Sequence, residues 1–342
     1  VVHEVLDIAV ANTAILLTRD DLQRLNDHLL KQNISPYQVR WLVIDEFDKC
    51  LNMGFRDEME HASQSLPQVS RRILLSATDA EEIPRFIQMG RCAKLDYLSD
   101  GSSADRITEH IVRSREKDKL PTLYRTLCLL GNDSTIVFLN YRDSVERTES
   151  FLRQSGFIVS AYHGGMDQKQ REDALFKFRN GSANILVSTD LASRGLDIPE
   201  VRHIIHYHLP LGEDEYVHRT GRTARWQAHG DSYFILGPEE QLPSYITSAT
   251  EELSVPDQTP PPQPPRMATL YIGKGKKDKL SKTDIVGFLC KKGKLNGDDI
   301  GRIDMMERYT YVAVRYDKAK AVIDHVRGEK IKGIKTLVEM VK

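Results

Sequence analysis

At 342 residues, with 40% hydrophobic and 28% charged side chains, the chain has room for two or three domains that each bury a core. No apolar run is long enough to cross a bilayer as a helix and no secretory-signal pattern opens the sequence, so no membrane partner is expected. The formal net charge of −1 hides an asymmetry: residues 266–342 hold 19 Lys+Arg against 10 Asp+Glu, a net of +9, and the preceding residues a net of −10, as expected if a basic module meets a polyanion.

In chain order, Ala14 to Thr18 reads as a strand and Asp20 to Lys31 as a helix with Leu22, Leu25, Leu29 and Leu30 on one face. The apolar run Leu42-Val43-Ile44 then ends abruptly in Asp45-Glu46-Phe47-Asp48. Buried parallel strands are continuous hydrophobic stretches, and ligands in open α/β sheets sit at their carboxyl ends. Asp45 and Glu46 thus stand where a magnesium-bound triphosphate needs a hard oxygen ligand and a water-orienting base; acids dressing a helix N-terminus fit the same residues. A helix follows from about Phe55 to Ser65. Ile73-Leu74-Leu75-Ser76-Ala77-Thr78 is a second buried-strand pattern, ending in two hydroxyls that could simply form a turn, and a helix is expected from about Ala80 to Met89. After a polar crossing at 99–107, strands are expected near 108–113, 134–139, 157–162, 184–189, 202–207 and 231–236, with helical patterns between them; such alternation argues for parallel sheets covered on both faces. Within that series, His218-Arg219-Thr220-Gly221-Arg222-Thr223-Ala224-Arg225 spaces three guanidinium groups, always charged and forked, so that several can converge on one phosphate cluster; taken alone, the segment fits a solvated surface turn better.

These segments resemble, in order and spacing, the DEAD-box RNA helicases. Asp45-Glu46-Phe47-Asp48 is similar to the Walker B box, Ser76-Ala77-Thr78 to the coupling motif, and His218 to Arg225 to the arginine-finger motif. Ile136 to Asn140 resembles the strand opening the second domain, His163-Gly164-Gly165 with Gln168 and Arg171 its RNA-facing loop and helix, and Ser188 to Asp197 motif V. The resemblance implies ATP and Mg2+ as cofactors, with Asp45 holding the metal through water, Glu46 orienting the attacking water, and Asp48 and His218 linking the ATP site to Ser76 and Thr78. It places Arg219, Arg222 and Arg225 in the catalytic motif, with Arg222 and Arg225 on the γ-phosphate, Gly195 and Asp197 at the nucleotide, and Gly164, Gly165, Arg171 and Thr189 at RNA phosphates. Two departures stand out. Phe47 replaces the family's alanine, and Thr18-Arg19-Asp20-Asp21 falls where a Thr-Pro-Gly-Arg loop meets RNA, so two aspartates there would repel phosphate.

No G-x-x-x-x-G-K-[ST] occurs in the 342 residues, so these residues supply no phosphate-wrapping loop; a piece of a longer protein and a degenerate protein both account for that. In the RecA-like fold the strand bearing that loop pairs beside the one ending at Ser76, so Arg72 to Leu75 is expected to form an apolar sheet edge. Cys50, Cys92, Cys128 and Cys290 form no C-x-x-C pair, which argues against a zinc site or disulfide framework and suits a reducing, cytoplasmic setting.

Six prolines between Pro256 and Pro265 favour an extended, semi-rigid spacer. Beyond it, Leu270-Tyr271-Ile272 and Tyr309 to Val314 read as strands, and period two puts Tyr309 and Tyr311 on one face. RNA-recognition folds stack bases on such aromatics, and core packing explains them equally well from pattern alone. Lys274, Lys276 and Lys277 follow the first strand. The segment resembles the C-terminal RNA-binding domain of DbpA-type helicases, which implies structured, ribosomal RNA and pre-ribosomal particles as partners. The expected architecture is therefore α/β: two RecA-like parallel-sheet lobes (1–98, the first truncated, and 108–253) joined by a linker at 99–107, then a Pro-rich linker at 254–267 and a small α+β RRM-like domain at 268–342. The implied activity is ATP-dependent RNA unwinding, with this chain alone inactive for want of the phosphate loop. A non-catalytic RNA clamp or assembly factor is the alternative, and a DNA helicase a third reading that the DEFD box and the tail oppose.

Overall fold

The computed structural model describes residues 14–17, 19–45, 47–52, 54–76, 83–90, 92–95, 106–193, 201–223, 229–246 and 250–341. The chain divides into two compact units, residues 1–102 and 103–342, so the second lobe and the C-terminal module fall in one unit.

In the first unit, strands β1 (Ala14–Leu17), β2 (Trp41–Ile44) and β3 (Arg71–Leu74) form a parallel sheet in the order β1-β2-β3. Helix α1 (Arg19–Leu30) repeats leucine at i, i+3 and i+7, and its Leu22 and Leu25 pack with Leu42 and Ile44 of β2. The short α2 (Phe47–Asn52) adds Phe47 and Cys50 to this core, and α3 (Arg56–Gln64) adds Met59 and Ala62. Phe47 is 1% exposed, so the bulky departure from the family pattern is absorbed by the core. β3 is the outer strand of the described sheet, with Ile73 39% and the following Leu75 45% exposed, which matches the expected apolar edge. The helix expected from about Ala80 to Met89 does not form over its described part. Residues 77–82 lie outside the described residues, Pro84 is extended (ψ 141°), and only a single 3-10 turn, Arg85–Ile87, follows.

The second unit opens with seven parallel strands in the order β10-β4-β9-β8-β5-β7-β6. In chain order these are β4 (Ile107–Arg113), β5 (Thr135–Phe138), β6 (Val159–Tyr162), β7 (Ile185–Ser188), β8 (His203–His206), β9 (Gly230–Leu236) and β10 (Thr250–Glu252). β5, β7 and β8 are buried throughout, as a parallel strand covered on both faces must be. Alternation divides the side chains: Val137, Val187 and Ile205 pack toward helices α4 (Leu120–Leu130) and α5 (Arg142–Gln154), and Ile136, Phe138, Leu186 and Ile204 toward α6 (Gln168–Arg179). Helix α7 (Glu213–Thr220) lies between β8 and β9 in sequence.

The C-terminal module is an antiparallel sheet in the order β12-β13-β11-β16, formed by β11 (Met267–Ile272), β12 (Ile300–Met305), β13 (Thr310–Arg315) and β16 (Val338–Met340); a two-stranded ribbon of β14 (Lys330–Ile331) and β15 (Ile334–Lys335) precedes the last strand. Helices α8 (Lys282–Lys291) and α9 (Tyr316–Val326) cover one face, where Leu270, Val312 and Val314 meet Ile285, Leu289 and Val322. Ser281 and Asp284 close a capping box that starts α8.

The proline-rich stretch forms no helix or strand, and it is not a free spacer. Leu253 N donates to Ile111 O at 2.8 Å, Leu253 and Val255 pack on the lobe core, and Asp257 pairs with Arg115 and Arg125. The Pro262 ring lies beside Gly156 and the Gln263 side chain beside Gly131, and Arg266 reaches Asp133 at 3.2 Å. The stretch is a strap along the lobe.

Candidate nucleotide and RNA site

The register of the first sheet pairs Ile44 with Leu74, which brings Asp45 level with Leu75 and beside Ser76. Two backbone bonds hold the strand ends there: Leu75 N donates to Ile44 O at 2.9 Å and Phe47 N to Leu75 O at 3.0 Å. Asp45 is half-buried and Asp48 is 6% exposed. The carboxylate box and the start of the serine motif therefore share the carboxyl edge of one parallel sheet, where ligands of such sheets bind. Glu46 and Thr78 lie outside the described residues. Arg19, Asp20 and Asp21 are the first three residues of α1.

In the second unit the carboxyl ends of β6 and β7 are adjacent, and Thr189 N donates to Tyr162 O at 3.3 Å. Gly164 and Gly165 are exposed in the next loop, with Gly165 N bonded to His163 Nδ1 at 3.2 Å. A Cβ at Gly165 would crowd the exposed Arg142 side chain, which passes over the loop. Arg171 stands in the first turn of α6, bonded to Gln168 Oε1 at 3.0 Å. Gly164, Gly165, Arg171 and Thr189 thus share one edge of the lobe, and sequence reasoning missed Arg142 beside them.

Arg219 differs from the role the motif implied. It is fully buried: Nε and Nη2 fork onto Asp190 at 2.6 and 2.8 Å, Nη2 also reaches Asn140 Oδ1 at 2.8 Å, and Nη1 donates to His208 O at 2.8 Å. Its guanidinium sits 5.2 Å from the Phe138 ring. With its donors committed inside the lobe, Arg219 is a positioning residue that ties α7 to the ends of β5 and β7. His218 is half-buried and Arg222 is 7% exposed just past α7, where Arg222 O accepts from Val201 N at 3.2 Å. Gly195, Asp197 and Arg225 lie outside the described residues. Sequence reasoning missed Asn140 and Asp190 as partners of Arg219; a lone Asn or Asp at a strand end is the signal.

In the module, Tyr271, Tyr309 and Tyr311 form one cluster with ring centroids 5.1 to 5.9 Å apart. Lys276 and Lys277 are exposed, whereas Lys274 is bonded to Asp278 at 3.0 Å. No group of three or more His, Cys, Asp and Glu among the described residues is arranged to hold a metal, and Cys50, Cys92, Cys128 and Cys290 form no disulfide with one another.

Three histidines of the second lobe are held neutral. Burial, then the Arg219 charge, pushes His206 well below its ordinary value; burial, then Lys119, lowers His208 to about 4; burial also lowers His203 despite Asp231. The unfolded chain protonates these rings near pH 6.5, the folded chain only at lower pH, so the stability they confer is complete above about 6.5 and declines as pH falls toward 4. His208 alone is expected to contribute about 1–2 kcal/mol after allowing for screening of its partly exposed ring. Urea unfolding of the second unit is expected to show a lower midpoint at about pH 5 than at about pH 7.5; an unchanged midpoint would contradict the burial of neutral rings.

Family comparisons agree with this geometry. Residues 4–86 match the DEAD/DEAH box helicase family, 118–227 the helicase conserved C-terminal domain, and 269–340 the DbpA RNA binding domain. The chain is 34% identical over 328 residues to the ATP-dependent RNA helicase DbpA of Escherichia coli, covering 93% of this chain and 71% of that protein. It is 30% identical over 340 residues to DbpA of Bacillus subtilis, covering 91% and 71%. The S. cerevisiae Dbp5 structure bound to RNA and ADP BeF3 shares the fold with a TM-score of 0.60 at 20% identity, covering 71% of each chain. The chain belongs to the DEAD-box ATP-dependent RNA helicases, an ATPase family that uses ATP, usually with Mg2+.

Proposed function

We propose that this chain carries the nucleotide- and RNA-facing machinery of a DbpA-type helicase that opens short duplexes in ribosomal RNA during large-subunit assembly, in the cytoplasm and on pre-ribosomal particles. The observation that carries the reading is the placement of Asp45 and Ser76 at one sheet edge and of Thr189, Arg171 and Arg222 in a second lobe that holds a basic module. Asp45, a half-buried carboxylate at a strand end, fits Mg2+ as a hard oxygen partner through water. Bound Mg-ATP supplies the phosphoryl group to be transferred and the charge that this carboxylate faces. Glu46 orients the attacking water, Arg222 and Arg225 neutralise charge developing on the γ-phosphate, and Gly195 and Asp197 line the nucleotide. His218 and Asp48 connect that site to Ser76 and Thr78, while Gly164, Gly165, Arg171 and Thr189 grip the RNA backbone.

The 342 residues contain no G-x-x-x-x-G-K-[ST], so by themselves they are expected to bind RNA without turning over ATP. The alternative reading is an RNA clamp that does no hydrolysis. Joining a phosphate-loop segment of a DbpA-type helicase to Val1 separates the two: RNA-stimulated turnover supports the enzyme, and none supports the clamp. Binding of a structured ribosomal RNA hairpin by the 342-residue chain is expected to weaken at least about tenfold between about 50 and 200 mM salt, because lysines on the module displace counterions. Salt-independent or undetectable binding would rule out the basic module as the RNA anchor.

A further inference from the structure

The side of the C-terminal sheet turned away from its helices is covered. Thr269 and Ala313 pair across β11 and β13 on that side, and both are buried, at 2% and 0% exposure. A sheet with helices on only one face would leave these positions open to water. The cover is α6 of the second lobe and the turn after it. The Phe176 ring lies 4.8 Å from that of Tyr311, Thr269 Oγ1 is 2.8 Å from Asn180 Nδ2 and 2.6 Å from Ser182 Oγ, and Met267 N donates to Gly181 O at 3.3 Å. Gly181 has φ +75°, which lets the turn come close enough that Met267 Cγ lies 3.6 Å from where a Cβ would stand.

Phe176 identifies the contact as built. Leu175 and Phe178 belong to the core of the lobe, one helical turn apart, whereas Phe176 points to the other side of α6 and is no part of that core, yet it is only 8% exposed. One turn earlier α6 carries Glu172 and Asp173. Burial first, then Asp173 and the neighbouring tyrosines, pushes the Tyr311 hydroxyl up to about 12; burial, then Asp173 and Glu172, raises that of Tyr309. The helix therefore offers the tyrosine cluster one aromatic ring and two anionic groups, the combination that an unpaired base with its flanking phosphates would offer.

We propose that α6 is an intramolecular competitor of single-stranded RNA for the face formed by Tyr271, Tyr309 and Tyr311, so that this face takes unpaired bases only when the module lifts off the second lobe. This deepens the RNA-helicase reading and rests on it. Because Arg171 lies in the first turn of the same helix, the RNA grip of the lobe and the docking of the module meet on one element.

The test compares the 342-residue chain with Phe176→Ala, Tyr309→Ala and the double variant. A fluorescein-labelled, unstructured oligouridylate reports stacking, a structured ribosomal hairpin reports the basic surface, and hydrogen exchange at the Met267 amide reports docking. Phe176→Ala is expected to speed exchange at Met267 and to tighten oligouridylate binding about tenfold, roughly the worth of one stacked base, and adding Tyr309→Ala is expected to erase the gain. An unchanged oligouridylate affinity, a gain that survives Tyr309→Ala, or unaltered exchange at Met267 would each overturn the proposal. Asn180→Ala with Ser182→Ala removes the polar clamp without touching the ring and should reproduce the result if Phe176→Ala disturbs the lobe. Loss of hairpin binding in the unaltered chain would instead sink the RNA-binding reading on which the proposal rests.

Discussion

Arg219→Ala is expected to destabilise the second unit by about 3–5 kcal/mol, the cost of breaking a buried pair by removing one partner. The substitution leaves Asp190 without its forked partner and strips Asn140 Oδ1 and His208 O of a donor, all at the carboxyl ends of three adjacent strands. For a lobe of this size that corresponds to a fall in Tm of roughly 10 °C. Arg219→Lys keeps the charge but not the fork, so it is expected to restore only part of the loss. A change below about 1 kcal/mol in denaturant unfolding would show that the network is not what fastens α7 to β5 and β7.

The second large effect is at Arg222. In the complete site, carried by the chain joined to a phosphate loop, Arg222→Ala is expected to lower RNA-stimulated ATP turnover by about 10³-fold or more, because a guanidinium that meets charge only as it develops lowers the barrier rather than tightening binding. Lysine is a poor substitute for a two-pronged donor, so Arg222→Lys should remain impaired. Binding of structured RNA through the module, which contains none of the motif, is expected to persist. Arg219 and Arg222 lie three residues apart: the first commits its donors to Asp190, Asn140 and His208, and the second, 7% exposed, lies just past the helix that the first secures.

Much of this was legible in the sequence because buried parallel strands leave a coarse signature. The runs at 135–138, 185–188 and 203–206 have apolar centres and are buried throughout, so pattern alone located them. β10 escaped because it is three residues long and reads Thr-Glu-Glu, with no apolar run at all. The helix expected near 80–89 was misread where Pro84 imposes an extended backbone on its described part. Proline content points to a stretch without helix or strand, but the partners of Pro262, Gln263 and Arg266, which are Gly156, Gly131 and Asp133, lie more than a hundred residues upstream, and no local rule reports that. The arginine motif announced three cations without saying which would be buried, since burial of Arg219 depends on Asn140 and Asp190 from other strands. Period two placed Tyr309 and Tyr311 together, while Phe176, the residue that covers them, looked like one more apolar position in a helix that is apolar nearly all round at 174–178.

The most direct test of the account is steady-state ATP hydrolysis, with and without RNA, by the chain joined to a phosphate-loop segment and by its Arg222→Ala variant. Turnover is expected to rise with RNA in the first and to be lost in the second, with hairpin binding equal in both. Equal turnover in the two proteins would mean that Arg222 takes no part in hydrolysis.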